Sequence, residues 1–172
     1  MTLYCELAGE PVINASITIP KRGIITGDVE INVSSVPPIT GMVALVIAGL
    51  TLMVTVVRGD LFQGQYRARL VGGHGGWRRT VAARSYGPSP AGLKLGPIVT
   101  DAAREVGETV RVTDNSTVGE FFVRARDLAS RVLDRVYPNW WVDETGVTRI
   151  GARPSSNVAT PFDLENFTPN LG

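Results

Sequence analysis

Cysteine and histidine are almost missing from this chain: 172 residues hold one of each, Cys5 and His74. One cysteine excludes an internal disulfide framework, and one of each excludes a Cys/His metal centre. A triad built on His74 would need a nucleophile. Ser85 and Cys5 lie far off in sequence, and no Gly-x-Ser-x-Gly elbow occurs. A strong charge bias is also lacking. With 17 basic and 16 acidic residues, bulk charge points to neither a nucleic-acid nor an acidic partner. The first ten residues carry two acids and no basic run, which does not fit a secretory leader. Cys5 is expected to be a small apolar filler in a strand.

Apolar residues are plentiful. Residues 40–57, "TGMVALVIAGLTLMVTVV", carry no charge and nearly reach bilayer length. Val, Ile and Thr dominate, and Gly49 falls in the middle, so the expectation is two buried strands joined at Ala48–Gly49 rather than a membrane span. "VINASITIP" alternates and places Ile13, Ala15, Ile17 and Ile19 on one face. "DVEINV" does the same with Val29, Ile31 and Val33, and Val36-Pro37-Pro38 cannot continue a ladder. "RGDLFQGQ" is expected as a connection, "YRARLVGG" as a strand, and "WRRTVAARSYG" as its partner. The glycine-rich stretch Gly72-Gly73-His74-Gly75-Gly76 then becomes a hairpin tip. It is no P-loop, because no Gly-Lys-Ser/Thr opens a helix there. Arg58-Gly59-Asp60 matches an adhesion tripeptide but is explained as a strand-ending turn.

"GPSPAGLKLGP", residues 87–97, is expected to mark a boundary. Beyond it Ile98, Val99, Ala102, Ala103 and Val106 have helical spacing and stop at Gly107. "TVRVT" reads as a strand. Thr117-x-x-Glu120 reads as a capping box opening a helix of roughly 20 residues to Pro138, with Phe121, Phe122, Ala125, Leu128, Ala129, Val132, Leu133 and Val136 on its buried stripe. Trp140–Asp143 and Val147–Ile150 form a hairpin across Thr145–Gly146. On a strand Trp140 and Trp141 point to opposite faces: one packs on the helix, and the other covers a partner surface or closes the hairpin's second side. Glu105 and Glu108 are expected on a solvated face, and Asp114, Asn115 and Ser116 in turn and capping roles. Asp143 and Glu144 are adjacent and cannot flank one bond. No catalytic, cofactor-binding or metal-ligating set emerges.

The fold class is therefore α+β: an antiparallel β-barrel or sandwich over 1–88, a two-helix plus β-hairpin subdomain over 89–153, and an extended C-terminal tail over 154–172. Taken in order, "PVINASITIPKRGIITGDVEINV", "GMVALVIAGLTLMVTVVRGD" with "RLVGGHGGWRRTVAARSYGP", and "LGPIVTDAAREVGE" with "FFVRARDLASRVLDRVYPNWWVDETGVTRIG" resemble the baseplate or tail-tip hub proteins of tailed phages and related contractile injection devices. The resemblance implies a tail-tube-like β-domain with a helical insertion and no enzymatic activity. It implies a homo-oligomeric ring, with three copies expected, that continues the tail tube and carries the tip or spike within the virion after assembly in the host cytoplasm. The implied partners are tube or distal tail proteins and a second hub or spike protein, with DNA only passing through the lumen. Family members are usually longer and return to β-structure after the insertion, so a companion polypeptide or a reduced hub is expected. Candidate inter-subunit contacts are Gly72, Gly73, His74, Gly75, Gly76, Trp77, Trp140 and Trp141.

Two other classes compete. Arg58, Arg67, Arg69, Arg78, Arg79 and Arg84 stand against a single acid, Asp60, between 58 and 84, which suits a nucleic-acid-binding β-domain. A cell-wall hydrolase would need a paired acid and base that the sequence does not show.

Overall fold

A computed structural model describes residues 4–87 and 92–153; the expected tail at 154–172 lies outside them. The first seven strands are β1 (Cys5–Leu7), β2 (Glu10–Pro11), β3 (Asn14–Thr18), β4 (Thr26–Asn32), β5 (Met42–Ile47), β6 (Leu50–Phe62) and β7 (Gln65–Gly72). They form one antiparallel sheet in the order β2-β1-β5-β6-β7-β4-β3. Period-two alternation decides which face is buried. Ala15, Ile17, Val29, Ile31, Leu45, Leu52, Val54, Ala68 and Leu70 fill one core, together with Cys5. Val12 enters that core where Ile13 was expected, and Ile13 and Val33 stay half-buried.

The β5–β6 turn falls at Ala48–Gly49, as the composition indicated. Ala48 (φ 49°) and Gly49 (φ 85°) are both left-handed, the backbone a tight two-residue hairpin requires. Arg58-Gly59-Asp60 is not a connection. β6 runs straight through it, and the turn lies beyond, at Gln63 (φ 48°) and Gly64 (φ 76°). The strand continues because Gly59 leaves room for the Tyr66 ring; a Cβ there would stand 2.0 Å from the Tyr66 hydroxyl oxygen. A bulge between Val56 and Arg58 kinks the ladder on the way.

The sheet's two outermost strands are consecutive pieces of one segment. Val12 donates its N–H to the Cys5 carbonyl of β1 at 3.0 Å, and Ile13 donates to the Glu30 carbonyl of β4 at 2.9 Å. Successive amides thus reach opposite margins, and the sheet curls until the chain itself joins them.

The second part contains a 3₁₀ turn (Gly76–Arg78), β8 (Arg84–Tyr86), β9 (Leu93–Lys94), α1 (Leu95–Val106), β10 (Val110–Val112), β11 (Thr117–Val118), β12 (Phe121–Val123), α2 (Ala129–Val136), β13 (Trp141–Val142) and β14 (Thr148–Ile150). The stretch after the glycines does not pair with β7, which already has β6 and β4 on its two sides. Instead β8 pairs with β12, β9 with β11, and β10 runs parallel to β14 beside the expected β13–β14 hairpin.

α1 buries Leu95, Ile98, Val99, Ala102, Ala103 and Val106 and ends at left-handed Gly107 (φ 75°). Asn115 and Ser116 take the capping role read for them: the Asn115 side-chain oxygen accepts from the Gly96 N–H at 2.9 Å, and the Ser116 carbonyl from the Leu95 N–H at 3.1 Å. The expected long helix is a correction. Phe121 and Val123 are buried and Phe122 is exposed, a strand alternation favoured by aromatic and β-branched residues. Arg126 turns left-handed (φ 65°), and only the eight residues of α2 are helical.

Amide exchange tests the closure. The Val12 and Ile13 N–H groups, although between strands, are expected to exchange as slowly as the interior of β4; rapid exchange at both would show that the margins are apart.

Candidate functional site

The glycine segment lies where β7 meets the second core. Gly72 donates to the Ile25 carbonyl at 2.8 Å and Gly73 to that of Met53 at 3.1 Å, while the Thr55 hydroxyl donates to the Gly73 carbonyl at 2.6 Å. Gly73 and Gly75 are left-handed (φ 74° and 78°), so the amides that follow turn inward. There they meet Glu108: its carboxylate accepts from the His74 N–H at 3.2 Å and from the Gly76 N–H at 2.6 Å. This is the concave amide arrangement that holds phosphates in other proteins. Here the protein's own carboxylate fills it.

Glu108 is therefore a correction, being buried rather than on a solvated face. The signal was present. Gly107 stops α1, so Glu108 no longer follows the helical spacing that would have kept it beside Glu105. Burial pushes its carboxyl above the ordinary value of 4.5, although the amides of His74 and Gly76 pull it down. Asp143 shows the opposite balance. Burial would raise it, but hydrogen bonds from Thr145, Arg149 and the Val147 amide together hold it below 3.8. It organises the hairpin turn, accepting the Thr145 and Val147 N–H groups at 3.0 Å each and the Arg149 guanidinium at 2.5 Å.

Most of the candidate contact residues face inward. Gly72, Gly73, Gly76, Trp77, Trp140 and Trp141 are buried within the chain, leaving His74 and Gly75 with surface. Trp77 and Trp140 rings lie 5.9 Å apart, tilted by 53°. The Trp77 indole donates to the Thr148 hydroxyl at 2.7 Å, and the Trp140 indole to Asp134 of α2 at 2.8 Å. Trp141 lies beneath the Arg153 guanidinium, 5.6 Å from the ring centre. Both tryptophans of the hairpin are thus covered by this chain.

The basic stretch is divided by ion pairs. Arg67 bonds Glu30 at 3.0 Å, Arg69 bonds Asp28 at 3.0 Å, Arg58 bonds Asp60 at 3.1 Å and Arg84 bonds Asp101 at 3.0 Å. Among the described residues no group of three or more His, Cys, Asp or Glu is placed to hold a metal ion, and no helix is long and apolar enough to cross a membrane.

Three solved structures share the fold. A tail protein from Neisseria meningitidis MC58 superposes with a TM-score of 0.62 at 13% identity, covering 92% of this chain and 53% of that one. The 43 kDa tail protein of prophage MuSo2 from Shewanella oneidensis gives 0.53 at 14% identity, covering 87% and 54%. An Escherichia coli component of the type VI secretion system, described as structurally similar to bacteriophage T4 tail proteins, gives 0.55 at 14% identity, covering 84% and 48%. At these identities the likeness is one of fold, and the chain spans about half the length of the structures it matches. No family model and no curated protein matches the sequence.

Glu108→Ala leaves two inward amides without an acceptor and is expected to cost about 1–3 kcal/mol in urea unfolding, with Glu108→Gln losing less; an alanine variant as stable as the parent would contradict this. The pH dependence has a definite sign. Glu108 titrates higher folded than unfolded, so ionisation opposes folding, and stability falls as pH rises from about 4.5 through the folded value. Asp143 acts oppositely: its contribution is present above about 3.8 and is lost as pH falls through the lowered folded value. Urea midpoints across pH should show the Glu108 slope flattened in Glu108→Gln.

Proposed function

We propose that the chain is a structural component of a phage tail tip or baseplate hub, forming a ring that continues the tail tube and connects it to the tip or spike. Three copies are the expected number. The reading is non-catalytic and places the chain in the virion after assembly in the host cytoplasm. Its partners are other tail proteins. The three fold neighbours support it, since two are tail proteins and the third is described as like them.

One observation in this chain carries the assembly part. β5 pairs with β6 only as far as Met42↔Thr55, whereas β6 continues to Phe62 against β7 alone. From Arg58 to Phe62 its other margin has no strand beside it among the described residues. Val57, Leu61 and Phe62 are exposed next to that margin, Phe62 by 70%. An unpaired margin with exposed apolar side chains favours association, and identical copies meeting head to tail close a ring. The β6–β7 tip is accordingly the proposed inter-subunit contact, with His74 and Gly75 as the remaining surface of the glycine segment.

Imaging of the native particle tests the reading. A ring of copies, three in number, is the expected result, and Leu61→Glu with Phe62→Glu should abolish the ring while circular dichroism stays that of the parent. A single isolated copy in the assembled particle would refute it.

A further inference from the structure

The outer side of the β6–β7 pair carries an open cleft of about 540 Å³. β6 and β7 contribute Arg58 and Arg69; the 3₁₀ turn and the residue after it contribute Arg78 and Arg79, with exposed His74 beside them. No acid lines it. Arg78 and Arg79 form no ion pair with any described acid. Arg58 and Arg69 do, with Asp60 and Asp28, but all four side chains are more than half exposed. Such surface pairs contribute little and can be re-partnered.

The ligand follows from what the cleft offers. All its permanent cations are arginines, whose planar forks match phosphate oxygens in pairs. A single phosphate has no amide cradle here, because Glu108 already takes the loop's inward N–H groups. Four guanidiniums spread over an open cleft suit a chain of anions instead. No Phe, Tyr or Trp lines it, and the single imidazole of His74 cannot form a platform for successive bases, so a duplex touched along its backbone fits better than a run of unstacked bases.

We infer that this cleft binds the sugar–phosphate backbone of duplex DNA without sequence preference. The inference rests on the tail-component reading only for why duplex DNA is at hand.

Fluorescence anisotropy of the full chain with a labelled duplex of about 20 base pairs tests it. Binding should weaken with salt at a log–log slope of about −2 to −4, since each phosphate contact contributes about −0.9. Arg78→Ala with Arg79→Ala should weaken binding about tenfold or more and flatten the slope by about 2. Arg111→Ala, exposed on β10 outside the cleft, should bind like the parent. No binding at about 50 mM salt, or a double variant that binds like the parent, overturns the inference. Competition by polyglutamate as effective as that by unlabelled duplex overturns it too, in favour of an acidic peptide. Ring formation by the same variants separates the two readings: an intact ring whose parent chain ignores DNA sinks this inference alone, and DNA binding without a ring sinks the assembly reading alone.

Discussion

Everything in this fold depends on two cores meeting across a segment that has almost no side chains. The sheet core ends at Gly72, and the core built on α1, α2 and the tryptophans begins at Trp77. Between them the backbone passes so close to both that volume is the governing constraint. A Cβ on Gly76 would stand 2.2 Å from the Val106 carbonyl oxygen, and one on Gly73 would stand 3.0 Å from the Glu108 carboxylate. Buried amides in such a passage need acceptors, and the residue just beyond the C-terminus of α1 supplies one carboxylate for two of them. The join thus combines close approach with a charge-assisted hydrogen-bond set.

Closure of the sheet shapes how the chain meets others. Val12 and Ile13 join the sheet's two outermost strands through the chain itself, donating to β1 on one side and to β4 on the other. Among the described residues the far half of β6 is an open margin that carries exposed apolar side chains, where a thirteen-residue strand outruns its neighbour. The apolar tip of this hairpin, Leu61 and Phe62, lies beyond the charged pair Arg58 and Asp60.

Strands with one buried face were legible because alternation has one structural solution. The Ala48–Gly49 turn was legible because an uninterrupted apolar run must break where left-handed backbone is tolerated. α1 was legible from its stripe and Gly107. The failures share a cause: local patterns that fit two structures until a distant partner chooses. Phe121 fits a helical stripe with Phe122 and Ala125 as well as a strand alternation with Val123, and pairing with β8 selects the strand. Arg58-Gly59-Asp60 looks like a turn until Tyr66 occupies the space above Gly59. Trp77–Val81 has strand composition, yet both sides of β7 are taken. At the glycine segment the sequence revealed the need for unusual backbone, but the acceptor, Glu108, lies 32 residues away from Gly76.

The joint between the two cores is open to direct test. All three tryptophans lie in or beside the second core, while the strand signal in circular dichroism comes mostly from the first. Thermal unfolding of the parent and of Gly76→Ala, followed by both signals, reports whether the cores are coupled. Coupling gives coincident transitions in the parent and a joint downward shift of several degrees in the variant, as overpacking of about 1–3 kcal/mol implies. Unmoved midpoints, or a tryptophan transition that shifts while the strand transition stays, would contradict it.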